Sequence, residues 1–106
     1  MLLSSNLTPA ERLTIWRRRM DFSQDAAAQY WKVTPWQYRL WENGERSSQP
    51  VVKLGKLEHY EVCFITRRRK SMSRIDCARA VGVSPWWITQ MERGRVDAQR
   101  LIDFWK

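Results

Sequence analysis

Long hydrophobic runs are missing from this chain of 106 residues. None approaches the ~20 apolar residues that span a bilayer, so no membrane helix is expected. Met1-Leu2-Leu3 gives way at once to polar residues, and no signal peptide is expected. Histidine occurs once, at His59, and cysteine twice, at Cys63 and Cys77, with no CxxC pair. That set is too small for a zinc site, and no metal is expected. Four glycines, Gly44, Gly55, Gly82 and Gly94, do not make a phosphate-cradling loop. One histidine without a Ser or Cys partner leaves only scattered carboxylates for catalysis. The chain is therefore expected to be no enzyme, with no cofactor and no small-molecule ligand. Alternating apolar and polar stretches are short, and no hairpin turn sits between apolar runs.

Positive charge is abundant. Nineteen Lys and Arg against eleven Asp and Glu give a net charge of +8, which fits a polyanionic partner, nucleic acid first. With 43% hydrophobic and 28% charged residues the chain is neither disordered nor membranous in composition. Cys63 and Cys77 lie in apolar-periodic segments and read as buried free thiols in a reducing cytoplasm.

The sequence also repeats itself. A shift of 50 residues aligns it without gaps: Glu11 on Glu61, Ile15 on Ile65, Arg17-Arg18-Arg19 on Arg67-Arg68-Arg69. Ser23 then falls on Ser73, Ala28 on Ala78, Val33 on Val83, Pro35-Trp36 on Pro85-Trp86, and Glu42-x-Gly44 on Glu92-x-Gly94. Two copies of one supersecondary unit are expected, over residues 1–56 and 57–106.

Helix signals dominate each copy. Thr8-Pro9-Ala10-Glu11 is a capping box with proline at the first helical position, opening a helix to about Met20. Ser23 caps a second helix, from Gln24 to about Trp31. Lys32-Val33-Thr34 is a turn, and Thr34-Pro35-Trp36-Gln37 is a second capping box for a third helix ending near Asn43, with Gly44 as its left-handed stop. Ser48 or Gln49 is expected to open a short fourth helix, Pro50 to Leu54. The second copy predicts helices over 57–70, 74–81, 85–93 and 98–106. Two short helices joined by a three-residue turn form a helix-turn-helix, whose second helix enters the DNA major groove.

Ser23-Gln24, Ala27-Ala28, Val33-Thr34, Tyr38 and Glu42-x-Gly44 resemble the Cro/repressor-type (Xre-like) helix-turn-helix. So do Ser73, Cys77-Ala78, Gly82-Val83-Ser84, Ile88 and Glu92-x-Gly94. The resemblance implies an all-α chain of two tandem small bundles of the lambda-repressor-like type. It implies a cytoplasmic regulator that binds double-stranded DNA at the bacterial nucleoid, a repressor of a phage, plasmid or prophage. It pairs Arg17 with Glu42 and Arg67 with Glu92 as structural ion pairs. It assigns a phosphate contact to Gln24, where the second copy has Arg74. Ser23, Lys32, Arg46, Ser73, Arg93 and Arg95 lie beside these helices as further phosphate candidates. The base-reading positions fall on Trp36, Gln37 and Arg39, and on Trp86, Trp87, Thr89 and Gln90.

The chain departs from that pattern in places. Lys32 replaces the turn glycine that Gly82 retains, which predicts an altered turn in the first copy. Pro-Trp stands where a polar pair is usual. Six of the seven tryptophans divide accordingly: Trp16, Trp31, Trp41 and Trp105 at or near core-facing positions, Trp36 and Trp86 toward a partner. Three alternatives stay open: a covalent pseudo-dimer, a homodimer, and a protein-interaction adaptor whose Trp36/Trp86 face binds a protein partner.

Overall fold

The computed structural model describes residues 7–46 and 49–106. These form seven helices and no strand: α1 (Pro9–Arg19), α2 (Gln24–Trp31), α3 (Pro35–Glu42), α4 (His59–Arg69), α5 (Arg74–Val81), α6 (Pro85–Glu92) and α7 (Gln99–Trp105). They gather into two compact units, Leu7–Gly55 and Lys56–Lys106. Helix ends differ from the sequence expectation by one or two residues, the span over which ends fray.

The starts of α1, α2, α3, α5 and α6 are each written in a side chain. The Thr8 hydroxyl accepts from the Glu11 amide at 3.1 Å, and the Glu11 carboxylate accepts from the Thr8 amide at 2.9 Å. Ser23, Thr34, Ser73 and Ser84 accept from the amides of Ala26, Gln37, Asp76 and Trp87 in the same way. Thr34 makes only this arm. Gln37, expected to complete a box, does not return the bond, since a neutral amide is a weaker acceptor than the Glu11 carboxylate.

The helix ends share one closure. After α1 the Phe22 amide reaches back to the Arg17 carbonyl and the Asp21 amide to Arg18, with Asp21 at φ +58°. After α4 Met72 and Ser71 repeat both bonds, with Ser71 at φ +53°. Both are Schellman closures carried by non-glycine residues. Lys32 sits left-handed as well, at φ +58°, and does not alter the turn. The Val33 amide reaches the Ala28 carbonyl at 3.0 Å, just as Val83 reaches Ala78 at 3.0 Å beside Gly82. The closing bonds outweigh a left-handed cost of about 1 kcal/mol.

Among the described residues the first copy has no fourth helix. Residues 49–55 are non-helical, and Ser48, the alternative cap, lies outside the described residues. Val52 and Leu54 are buried while Val51 and Lys53 are exposed, which is the alternation of extended chain. The Arg19 guanidinium donates to the Leu54 carbonyl and occupies a backbone group. Five residues with two adjacent valines and a following glycine cannot repay helix nucleation. Gln99–Trp105, at the same place in the second copy, has Arg100 for Pro50 and Leu101 for Val51 and is helical.

In the second unit Cys63, Cys77, Ala78, Ile88, Met91, Leu101, Ile102 and Trp105 form one buried cluster. The first unit buries Leu13, Ile15, Ala27, Ala28, Tyr38 and Trp41. Trp16 and Trp31, expected at or near core positions, are only half-buried. Each packs beside Tyr30, with ring centroids 5.1 and 5.0 Å away, in an aromatic group at the surface. A unit of this size has too little interior to enclose every indole.

Candidate nucleic-acid interface

An arginine late in the first helix of each unit grips the glutamate that ends the third. Arg17 Nε donates to Glu42 Oε2 at 2.7 Å and Nη2 to Oε1 at 3.2 Å, while Nη1 donates to the Phe22 carbonyl at 3.2 Å. Arg67 does the same to Glu92 at 2.7 and 3.0 Å and to the Met72 carbonyl at 3.0 Å. Both glutamate side chains are almost wholly buried. One guanidinium thus ties α1 to α3 and closes the turn into α2, and another does so for α4, α6 and α5. Paired forks of this kind fix orientation as well as distance.

The first turn of the third helix in each unit faces outward. Trp36 is 60% exposed and Trp86 58%. Arg39 is exposed and Gln37 half-buried on α3; Trp87 is exposed, and Thr89 and Gln90 are half-buried on α6. Trp86 and Trp87 meet edge to face, with ring centroids 5.0 Å apart. The Arg46 guanidinium lies 5.8 Å from the Trp36 ring centroid, within cation–π range.

The phosphate candidates divide. Lys32, Arg46, Arg93 and Arg95 are exposed in the turns flanking these helices. The Ser23 and Ser73 hydroxyls are engaged as helix caps. The Gln24 amide donates to Glu42 Oε1 at 3.2 Å, so it buttresses the ion pair rather than standing clear of it. Arg74 is exposed but donates from Nη1 to the Thr89 hydroxyl at 3.0 Å, and that hydroxyl also donates to the Pro85 carbonyl at 3.3 Å. Sequence reasoning missed that link, because the two side chains are 15 residues apart. It also missed Ile75, exposed on α5, and Arg100, which lines an open cavity with Trp87, Met91 and Asp97.

Tyr38 is fully buried, its hydroxyl beside the Glu42 carboxylate without a well-formed hydrogen bond. Burial first, then the carboxylate, pushes its pKa up. Cys63 and Cys77 are buried free thiols. Burial, then Glu92 and Cys77, pushes the Cys63 thiol up to about 12, and burial and Glu92 raise Cys77. The unfolded thiol ionises near 9.0, so the folded chain holds a proton that the unfolded chain releases. This stabilising contribution is complete below pH 9 and is lost as pH rises toward 12. Urea midpoints should therefore fall across that window, and less steeply for Cys63→Ala. At neutral pH a thiol reagent should label the native chain at least about a hundredfold more slowly than the unfolded one, and equal rates would contradict the burial.

Among the described residues no group of three or more His, Cys, Asp or Glu side chains could hold a metal ion, and no helix is long and apolar enough to cross a membrane. Compared with known proteins, the chain matches no protein family, no curated sequence and no solved structure.

Proposed function

We propose that this chain is a sequence-specific binder of double-stranded DNA, built as two tandem helix-turn-helix units of the Cro/repressor type, and that it acts as a small transcriptional regulator. The observation that carries the reading is the exposed first turn of α3 and of α6, each held by a buried arginine–glutamate fork and flanked by exposed cations. A rigid helix with its N-terminal residues outward is what major-groove reading requires. Its first amides and dipole also favour a phosphate nearby. Gln37 suits adenine, Arg39 guanine or a phosphate, and the net charge of +8 supplies the non-specific attraction. The two covalently joined units read two half-sites of one operator, direct or inverted.

The exposed indoles of Trp36, Trp86 and Trp87 favour a second reading, a protein-interaction adaptor. Salt separates the two. With six or more phosphate contacts, affinity for duplex DNA should drop about a thousandfold between 50 and 200 mM salt, whereas an aromatic contact should barely change. Lys32→Ala and Arg95→Ala should weaken binding to all sequences alike and lower the salt slope by about one each. Gln37→Ala should instead relax preference at one or two base pairs of one half-site. Salt-independent binding, or uniform weakening by all three variants, would overturn base-specific reading.

A further inference from the structure

The two third helices do not offer DNA the same chemistry. On α3 the residues after the exposed Trp36 include Gln37 and Arg39, both hydrogen-bonding side chains. On α6 their places are taken by Trp87, which is 45% exposed, and Thr89. The Thr89 hydroxyl spends its proton on the Pro85 carbonyl and accepts from Arg74. Gln90 is half-buried a turn further on. What remains at the front of α6 is a corner of two perpendicular indoles, with interplanar angle 83°, each able to donate a single hydrogen bond.

Cations border this apolar corner. Arg74 is held at Thr89, on the helix that carries both indoles, and Arg100 lines the cavity that Trp87 also lines. The one carboxylate in that cavity, Asp97, accepts from the Gln99 amide at 3.0 Å. An apolar contact with cations beside it complements an apolar group that lies between phosphates. The major groove offers one apolar substituent on its base edges, the methyl at C5 of a pyrimidine.

Resting on the reading of the chain as a DNA-binding protein, we propose that the second unit recognises its half-site through pyrimidine C5-methyl groups, with the paired indoles of Trp86 and Trp87 as the reading surface. The first unit reads hydrogen-bonding edges instead, so the two half-sites differ in kind. The methyl belongs to thymine or to 5-methylcytosine, which present it at the same place.

The test begins with sites selected by the full chain from random duplex DNA. Each thymine of a selected site is then replaced by uracil, which removes the methyl and nothing else. One or two positions in one half-site should lose affinity, roughly fourfold per methyl. Trp86→Ala and Trp87→Ala, both at exposed positions and checked for unchanged melting, should lose that sensitivity. Trp36→Ala should keep it. Cytosine and 5-methylcytosine at the same positions separate the two sources: tighter binding to 5-methylcytosine than to thymine assigns the methylated base. Sequence-specific binding that ignores uracil in both half-sites would sink this proposal and leave the DNA reading intact. Unchanged uracil sensitivity in both indole variants would do the same. Tryptophan variants that bind DNA normally but lose self-association would assign the corner to a protein contact. Failure to bind duplex DNA at any sequence would remove the functional reading itself.

Discussion

Glu92→Ala will leave the second unit unfolded at temperatures where the wild-type chain is native. The Arg67 side chain is 11% exposed, and its guanidinium holds the Glu92 carboxylate by two bonds. Removing that carboxylate leaves a buried cation held by the Met72 carbonyl and the face of the Phe64 ring, neither of which carries a neutralising charge. Breaking one side of such a pair costs about 3–5 kcal/mol, comparable to the whole stability of a small domain. Glu42→Ala should cost less, because the Arg17 side chain is 20% exposed and water can reach it. Thermal and urea unfolding of both variants measures the order. Melting of Glu92→Ala within a degree or two of wild type would mean that the pair is solvated.

A second large effect is expected at Gly94, with its own control built into the repeat. Gly44 and Gly94 end α3 and α6 at φ +77° and +71°, so alanine meets the same backbone strain, about 1 kcal/mol, at either. A Cβ on Gly44 would come no closer than 3.9 Å to its neighbour, the Ala10 methyl. On Gly94 it would lie 2.5 Å from Tyr60 Cε1 and 2.6 Å from Cζ, inside the ring's contact radius. Gly94→Ala should therefore cost about 3 kcal/mol in total, the excess being overpacking. Adding Tyr60→Ala should recover part of that excess, read as a non-additive double-mutant cycle. Equal losses at the two glycines would show that the ring swings away freely.

The helices were legible because their starts are local. Thr8, Ser23, Thr34, Ser73 and Ser84 each cap a helix three residues from the amide they accept, and a sequence window of four residues contains both partners. The Arg17–Glu42 and Arg67–Glu92 forks span 25 residues and were accessible only through the repeat and the family resemblance. Left-handed Asp21 and Ser71 were hidden, because a non-glycine residue carries no mark of positive φ. Gln24 and Arg74 were read as facing a phosphate, yet each is drawn to a partner on the following helix, at Glu42 and Thr89. A helix over 50–54 was expected behind a Ser48 or Gln49 start, but the paired valines disfavour it and burial of Val52 and Leu54 in extended chain prevailed.

The alignment of the two copies hides a difference in how each interior is filled. Leu13, Ala27 and Tyr38 are wholly enclosed in the first unit; their counterparts Cys63, Cys77 and Ile88 are equally enclosed in the second. Large, small and aromatic in one copy correspond to two thiols and a branched aliphatic in the other. Interiors packed to crystal-like density tolerate exchange of volume only when neighbours change in step. Transplanting Tyr38 alone onto the site of Ile88 adds a ring and a hydroxyl to a cavity shaped for neither, and the reverse graft opens a void. The two modules, alike in their caps and forks, are thus no longer spare parts for each other, and a chimera between them must carry the three positions as a set.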